Sequence, residues 1–149
     1  MESAQFQVHA DLETTHWWFT ARREIFRRLI DALIPPSKDR LLVEVGCGTG
    51  GNIAKFASAY SCVGIDISPH AIERAVKLYP DHTFVCGEAP GDIEQELASA
   101  SIVLLLDVLE HVDDDYQLLA QILSTVRPGC YVFLSVPADP CLWSQHDVS

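Results

Sequence analysis

Apolar positions along this chain recur with two different periods, and the switches between them outline its elements. From His16 to Ile34 they fall at spacings of three and four with arginines between, until Pro35-Pro36 stops the run. That spacing predicts an amphipathic helix laying Ile25, Phe26, Leu29 and Leu33 on the rest of the molecule. Short apolar runs at 41–45, 62–65, 82–86, 101–106 and 130–136 read as buried strands. Helical patterns lie between and after them, near 51–59, 69–78, 91–97 and 114–126. Ser68-Pro69 offers an N-cap and a first-turn proline, and Asp113-Asp114-Asp115 puts negative charge at a helix start. The last helix is expected to bury Leu119, Ile122, Leu123 and Val126 and to end at Pro128-Gly129.

Strand starts about 20 to 30 residues apart fit βαβ units and a parallel sheet. Right-handed crossovers then give a doubly wound, Rossmann-like α/β domain. One domain is expected over 1–149, with a helical cap at 1–39 and the sheet core at 40–149.

Charge changes the picture more than composition does. Ten Lys+Arg stand against 21 Asp+Glu, a formal net charge of -11. A nucleic-acid partner held by its phosphates is therefore not expected, because neutralising phosphates needs clustered cations. The one basic cluster, Arg22, Arg23, Arg27 and Arg28, lies on the first helix. Five cysteines are spread singly, without a C-x-x-C pair, and read as free thiols in a reducing compartment. The first residues carry no secretion signal and no apolar run is long enough to span a bilayer, so a cytoplasmic protein without membrane contact is expected.

The chemistry concentrates at Glu44-Val45-Gly46-Cys47-Gly48-Thr49-Gly50-Gly51-Asn52, where a strand meets a glycine-rich turn and then a helix. Glycines let a ligand approach the backbone, and the following helix start offers unpaired N–H groups. Read as Gly46-x-Gly48-x-x-Gly51, the stretch matches a dinucleotide fingerprint. Read as Glu44-x-Gly46-x-Gly48-x-Gly50, it resembles motif I of class I methyltransferases that use S-adenosylmethionine. Glu44 favours the second reading. A carboxylate would repel a pyrophosphate but suits a ligand carrying an ammonium and a sulfonium group.

The other strand ends continue the resemblance. Asp66 in Gly64-Ile65-Asp66-Ile67-Ser68 can accept both hydroxyls of a ribose, with Ile67 against the base. Glu88 and Ala89 match the place where the family has an acid for the adenine end. Leu106-Asp107-Val108-Leu109-Glu110-His111 is similar to the family's segment lining the pocket near the reactive methyl, which implies Asp107 and Val108 as pocket residues. Asp107, Glu110 and His111 are also similar to the metal-binding E-x-x-E-H of some relatives, a set able to hold Mg²⁺, but relatives carry the same segment without a metal, so a packed histidine and no metal are expected. Val136-Pro137-Ala138 through Trp143-Ser144-Gln145-His146-Asp147 resembles a loop near the acceptor pocket, making His146, and after it His111, the candidate general bases.

The resemblance implies the strand order 3-2-1-4-5 and a donor site floored by Gly46, Cys47, Gly48 and Gly50. It implies Glu44 at the donor's amino-acid end and Arg22 at its carboxylate; Trp17 and Trp18 cannot both face one way on the first helix, so one of them, Trp18, is expected over the ligand. S-adenosylmethionine is then the cofactor, S-adenosylhomocysteine the product, and a small molecule the acceptor. Family members usually continue with a helix and two further strands, so the fifth strand is expected as an apolar edge, in a fragment or a homodimer. A non-catalytic donor-binding module and an NAD-dependent oxidoreductase remain the alternatives.

Overall fold

The computed structural model describes residues 17–138. Helix α1 (Trp17–Leu33) leads into strand β1 (Ser37–Val45), and the glycine turn opens α2 (Gly51–Phe56). Strand β2 (Tyr60–Asp66), α3 (Pro69–Leu78) and β3 (Thr83–Cys86) follow. A 3₁₀ turn at Gly91–Ile93 precedes α4 (Glu94–Ser99) and β4 (Ile102–Leu106). A second 3₁₀ turn at Leu109–His111, α5 (Asp115–Thr125) and β5 (Tyr131–Ser135) complete the described chain. The strands form one parallel sheet in the order β3-β2-β1-β4-β5.

The pleat divides the core in two. Leu42, Ile102, Leu104 and Leu106 face α1, α2 and α3 with Ile30, Ile34, Ile53 and Phe56. Val43, Val45, Val103 and Leu105 face the other way, onto Ile93, Leu97 and Ile122. Glu44 lies between Val43 and Val45, so the two-residue period turns it towards α1 and α2.

Two buried faces differ from the sequence expectation. On α1 the stripe on the sheet is Phe26, Ile30 and Ile34, while Ile25, Leu29 and Leu33 are more than half exposed. On α5 the packed residues are Leu118, Ile122 and Val126, and Leu123 is exposed. Each helix carries two apolar i,i+4 ladders side by side, and the period alone does not say which one docks. On α1, polar anchors decide. The buried Tyr60 hydroxyl lies 2.8 Å from an Asp31 carboxylate oxygen and 2.7 Å from the Ile34 carbonyl. Arg27 reaches the Lys55 carbonyl and the Ser58 hydroxyl on the α2 side.

Strand β1 starts at Ser37 rather than at 41, because its polar first residues pair with β2 across a register shift. Ser61 donates its hydroxyl to the Lys38 carbonyl at 2.6 Å, and the Lys38 ammonium reaches the Ala57 and Tyr60 carbonyls. Helix α3 begins as expected, with the Ser68 hydroxyl accepting from the Ala71 N–H. Among the described residues, no helix is long and apolar enough to cross a membrane.

Candidate functional site

The carboxyl ends of the strands meet the glycine turn and frame two cavities. The wider, about 710 Å³, runs from the ends of β1 and β2 past Gly87, Glu88 and Ala89 to α5. The narrower, about 200 Å³, lies between α1 and the turn, lined by Arg22, Arg23, Cys47, Gly48, Gly51 and Asn52 among others. Gly46 and Asp107 line both, so the cavities adjoin there.

The turn is held by its neighbours. The Gly46 and Cys47 N–H groups both donate to the Ile65 carbonyl, at 2.8 and 3.0 Å. Gly46 has φ 72, a conformation an L side chain rarely adopts, and a Cβ there would overlap Val108. Asp66 secures the rest: one carboxylate oxygen accepts from the Gly48 N–H at 2.8 Å, the other from the Ser68 N–H at 2.9 Å. The acid read as a ribose ligand is thus also the stitch between β2 and the glycine turn. A carboxylate oxygen has more than one acceptor site, so these bonds leave Asp66 acceptor capacity on the cavity wall.

Ile67, Glu88, Ala89 and Val108 line the wider cavity, Ile67 as an exposed side chain at 77%. The Asp92 carboxylate fixes the Glu88 loop by accepting its N–H at 2.8 Å. Asp107 sits at φ 57 and is locked from three sides. Its carboxylate pairs with Arg22 at 2.5 Å and accepts the Ser135 hydroxyl at 2.8 Å, while its N–H donates to the Ser135 carbonyl at 3.0 Å. The Ile102↔Tyr131 to Leu106↔Ser135 register of β4 and β5 brings Ser135 there.

Several expectations are corrected. Glu44 is 1% exposed and lines neither cavity; it stands behind the turn, accepting from Asn52 Nδ2 at 2.6 Å. Arg22 does line the narrower cavity, but its guanidinium is engaged by Asp107 and Ser135 and lies over the Phe26 ring. Trp18 is 54% exposed, packs edge-on against Trp17 and lines neither cavity. Gly50, at φ 83, caps α2 and lines neither cavity. Asp107, Glu110 and His111 do not form a metal cluster; among the described residues no group of three ligating side chains does. Asp107 is instead claimed by Arg22, and His111 lies exposed on the wall of the wider cavity. His146 lies outside the described residues.

The sequence reading missed the far wall, made by Asp113, Asp114, Gln117 and Gln121 of α5 and the turn before it. The four-residue spacing of Asp113, Gln117 and Gln121 is a legible signal, a polar stripe opposite the apolar one. Asp66, Glu88, Asp107, Asp113 and Asp114 line the wider cavity, whose lining holds no Lys or Arg, although Arg22 pairs with Asp107 from the side of the narrower one. Its field favours a cation-bearing ligand.

A doubly wound sheet with a glycine turn after β1 and an acid ending β2 defines the nucleoside-binding class of α/β proteins. A methyltransferase-domain family model matches residues 17–147, and the chain belongs to that family. It is 29% identical over 125 residues to trans-aconitate 2-methyltransferase of Deinococcus radiodurans, covering 81% of this chain and 47% of that protein. It is 31% identical over 121 residues to ubiquinone biosynthesis O-methyltransferase of Thiobacillus denitrificans, covering 72% and 48%. The chain spans about half the length of the curated relatives it matches. Among solved structures, Streptomyces venezuelae DesVI superposes with a TM-score of 0.71 at 18% identity, covering 97% of this chain and 61% of that one. The plantazolicin methyltransferase BpumL, solved in complex with a monoazolic desmethylPZN analogue and S-adenosylhomocysteine, gives 0.69 at 18%, covering 89% and 52%.

Proposed function

We propose that this chain is the donor-binding core of an S-adenosylmethionine-dependent methyltransferase with a small-molecule acceptor. The carrying observation is the pair of adjoining cavities along the strand ends, with Gly46 and Asp107 common to both. They fit a ligand with an adenosine half and an amino-acid half. Asp66 and Ile67 would hold the ribose and base, with Glu88 and Ala89 at the adenine end. The glycine turn and the arginines of α1 would hold the amino-acid end in the narrower cavity. The acid-lined wall suits a sulfonium and opposes a dinucleotide pyrophosphate, which argues against the oxidoreductase alternative.

When bound, the donor supplies an electrophilic methyl group to a nucleophilic acceptor atom. The protein's part is to hold donor and acceptor in line and exclude water, which can supply most of the acceleration. Family relatives named as acting on aconitate and quinone precursors support a small acceptor. Incubation with methyl-labelled S-adenosylmethionine and a panel of small acids, phenols and amines tests the reading. Label moving to one acceptor, inhibited by S-adenosylhomocysteine, is the expected result. Donor binding without transfer to any acceptor would make the chain a binding module instead.

A second copy of the chain is proposed to seat beside β5, the outermost strand on that side among the described residues, where Tyr131, Leu134 and the following Val136 are each 48% exposed.

A further inference from the structure

Helix α1 turns a second apolar stripe to solvent. Trp18, Ile25, Leu29 and Leu33 are each more than half exposed and fall within about 80° of the helix circumference. The 17-residue helix is about 25 Å long, so these side chains form a ridge and not a scattering of single residues. Cations border it. Arg28, its side chain 79% exposed, pairs with Glu24 at 2.8 Å, and Lys55 of α2 reaches the same carboxylate at 3.1 Å. Charge is divided across the sheet in the same sense. Helices α1, α2 and α3, on one face, hold seven of the chain's ten Lys+Arg and three acids, Glu24, Asp31 and Glu73. Helices α4 and α5, on the other face, hold Glu94, Glu96 and Asp115 and no Lys or Arg. A chain of net charge -11 thus carries one basic helical face, with an apolar ridge along it.

We propose that α1 docks on anionic lipid bilayers, lying in the interface with its ridge among the acyl chains and Arg28 and Lys55 at the headgroups. Contact of this kind needs no membrane-spanning segment, and it does not depend on the donor reading. Apolar side chains supply insertion and cations select anionic headgroups, and here the two are adjacent on one helix. The overall negative charge does not prevent it. At about 0.1 M ionic strength, exposed charges more than about 10 Å apart are largely screened, so the local face decides. Long Arg and Lys side chains keep their charge in the headgroup layer while their stems cover apolar surface. Arg22 and Arg23 of the same helix line the narrower cavity, so docking brings that cavity's wall towards the bilayer surface.

Phosphatidylcholine vesicles, with and without phosphatidylglycerol, are co-sedimented with the unsubstituted chain, Leu29→Glu, Arg28→Glu and Leu123→Glu. The unsubstituted chain should bind the phosphatidylglycerol vesicles, and less as salt rises. Leu29→Glu should weaken that binding about tenfold or more, because an apolar side chain leaves the lipid and a charge takes its place. Arg28→Glu should weaken it about tenfold on the anionic vesicles, since one cation is exchanged for an anion at the surface. Leu123 is 52% exposed on α5, across the sheet, and Leu123→Glu should stay within about twofold. Thermal midpoints establish that each variant is folded, and Leu29→Gln takes over should Leu29→Glu not fold. No binding to either vesicle, equal binding to both, or an equal loss in Leu123→Glu would overturn the proposal. A dimer in sedimentation that Leu29→Glu dissolves would overturn it too, by assigning the ridge to a second copy of the chain.

Discussion

Cys47 and Cys62 both belong to the core on the side of the sheet that Glu44 faces, and burial controls both thiols. Burial, with the Glu44 charge adding to it, pushes the Cys62 thiol from 9.0 up to about 12, and raises Cys47 further still. Such thiols stay protonated at neutral pH, and thiolate is the reactive form. Alkylation at pH 8 should therefore modify the exposed Cys86 well ahead of Cys47 and Cys62, as peptide mapping can establish. The same shifts act on stability. An unfolded thiol ionises near 9.0 while the folded Cys62 stays neutral until about 12, so stability is intact below pH 9 and declines from there upward. A midpoint that stays constant between pH 8 and 11 would contradict this. At this scale the sequence was most informative about residue type and least about direction. Asp66 was legible because a strand end points at one place. Glu44 was assigned to ligand contact, and the pleat sends it behind the wall to Asn52.

Helix α1 shows how an element can be recognised and still be docked wrongly on paper. Its apolar ladders Ile25, Leu29, Leu33 and Phe26, Ile30, Ile34 differ by one residue, a rotation of about 100° in an α-helix. Sequence periodicity sees both; Tyr60, Asp31 and the arginine contacts to α2 select the second. Ile30→Ala should accordingly cost about 2–5 kcal/mol, as for a fully buried aliphatic side chain. Leu29→Ala should stay within about 1 kcal/mol, since Leu29 is 53% exposed. Denaturant midpoints of the two variants decide between the faces, and a reversed ranking would place the helix the other way round. Strand boundaries were missed for a related reason. The polar start of β1 is held by backbone pairing and by Lys38 and Ser61, which leave no hydrophobic period to read.

Across the whole molecule, the strand order followed from the resemblance, and the side of the sheet that carries the cavities was legible because each strand end carried a chemically distinct residue. The width of the cavity was not, since α5 contributes its polar face only after packing. The edge of β5 has a consequence for assembly. With Tyr131, Leu134 and Val136 half exposed there, sedimentation should find a concentration-dependent dimer that Leu134→Lys shifts to monomer. A monomer at all concentrations would remove the second copy from the account. The donor site is tested most directly by calorimetric titration of the folded chain with S-adenosylhomocysteine, alongside NAD and the Asp66→Ala variant. The account predicts binding of S-adenosylhomocysteine, at least about tenfold weaker in Asp66→Ala, where charge-assisted acceptors are lost, and no binding of NAD. NAD binding in its place, or a folded chain that binds neither, would contradict it.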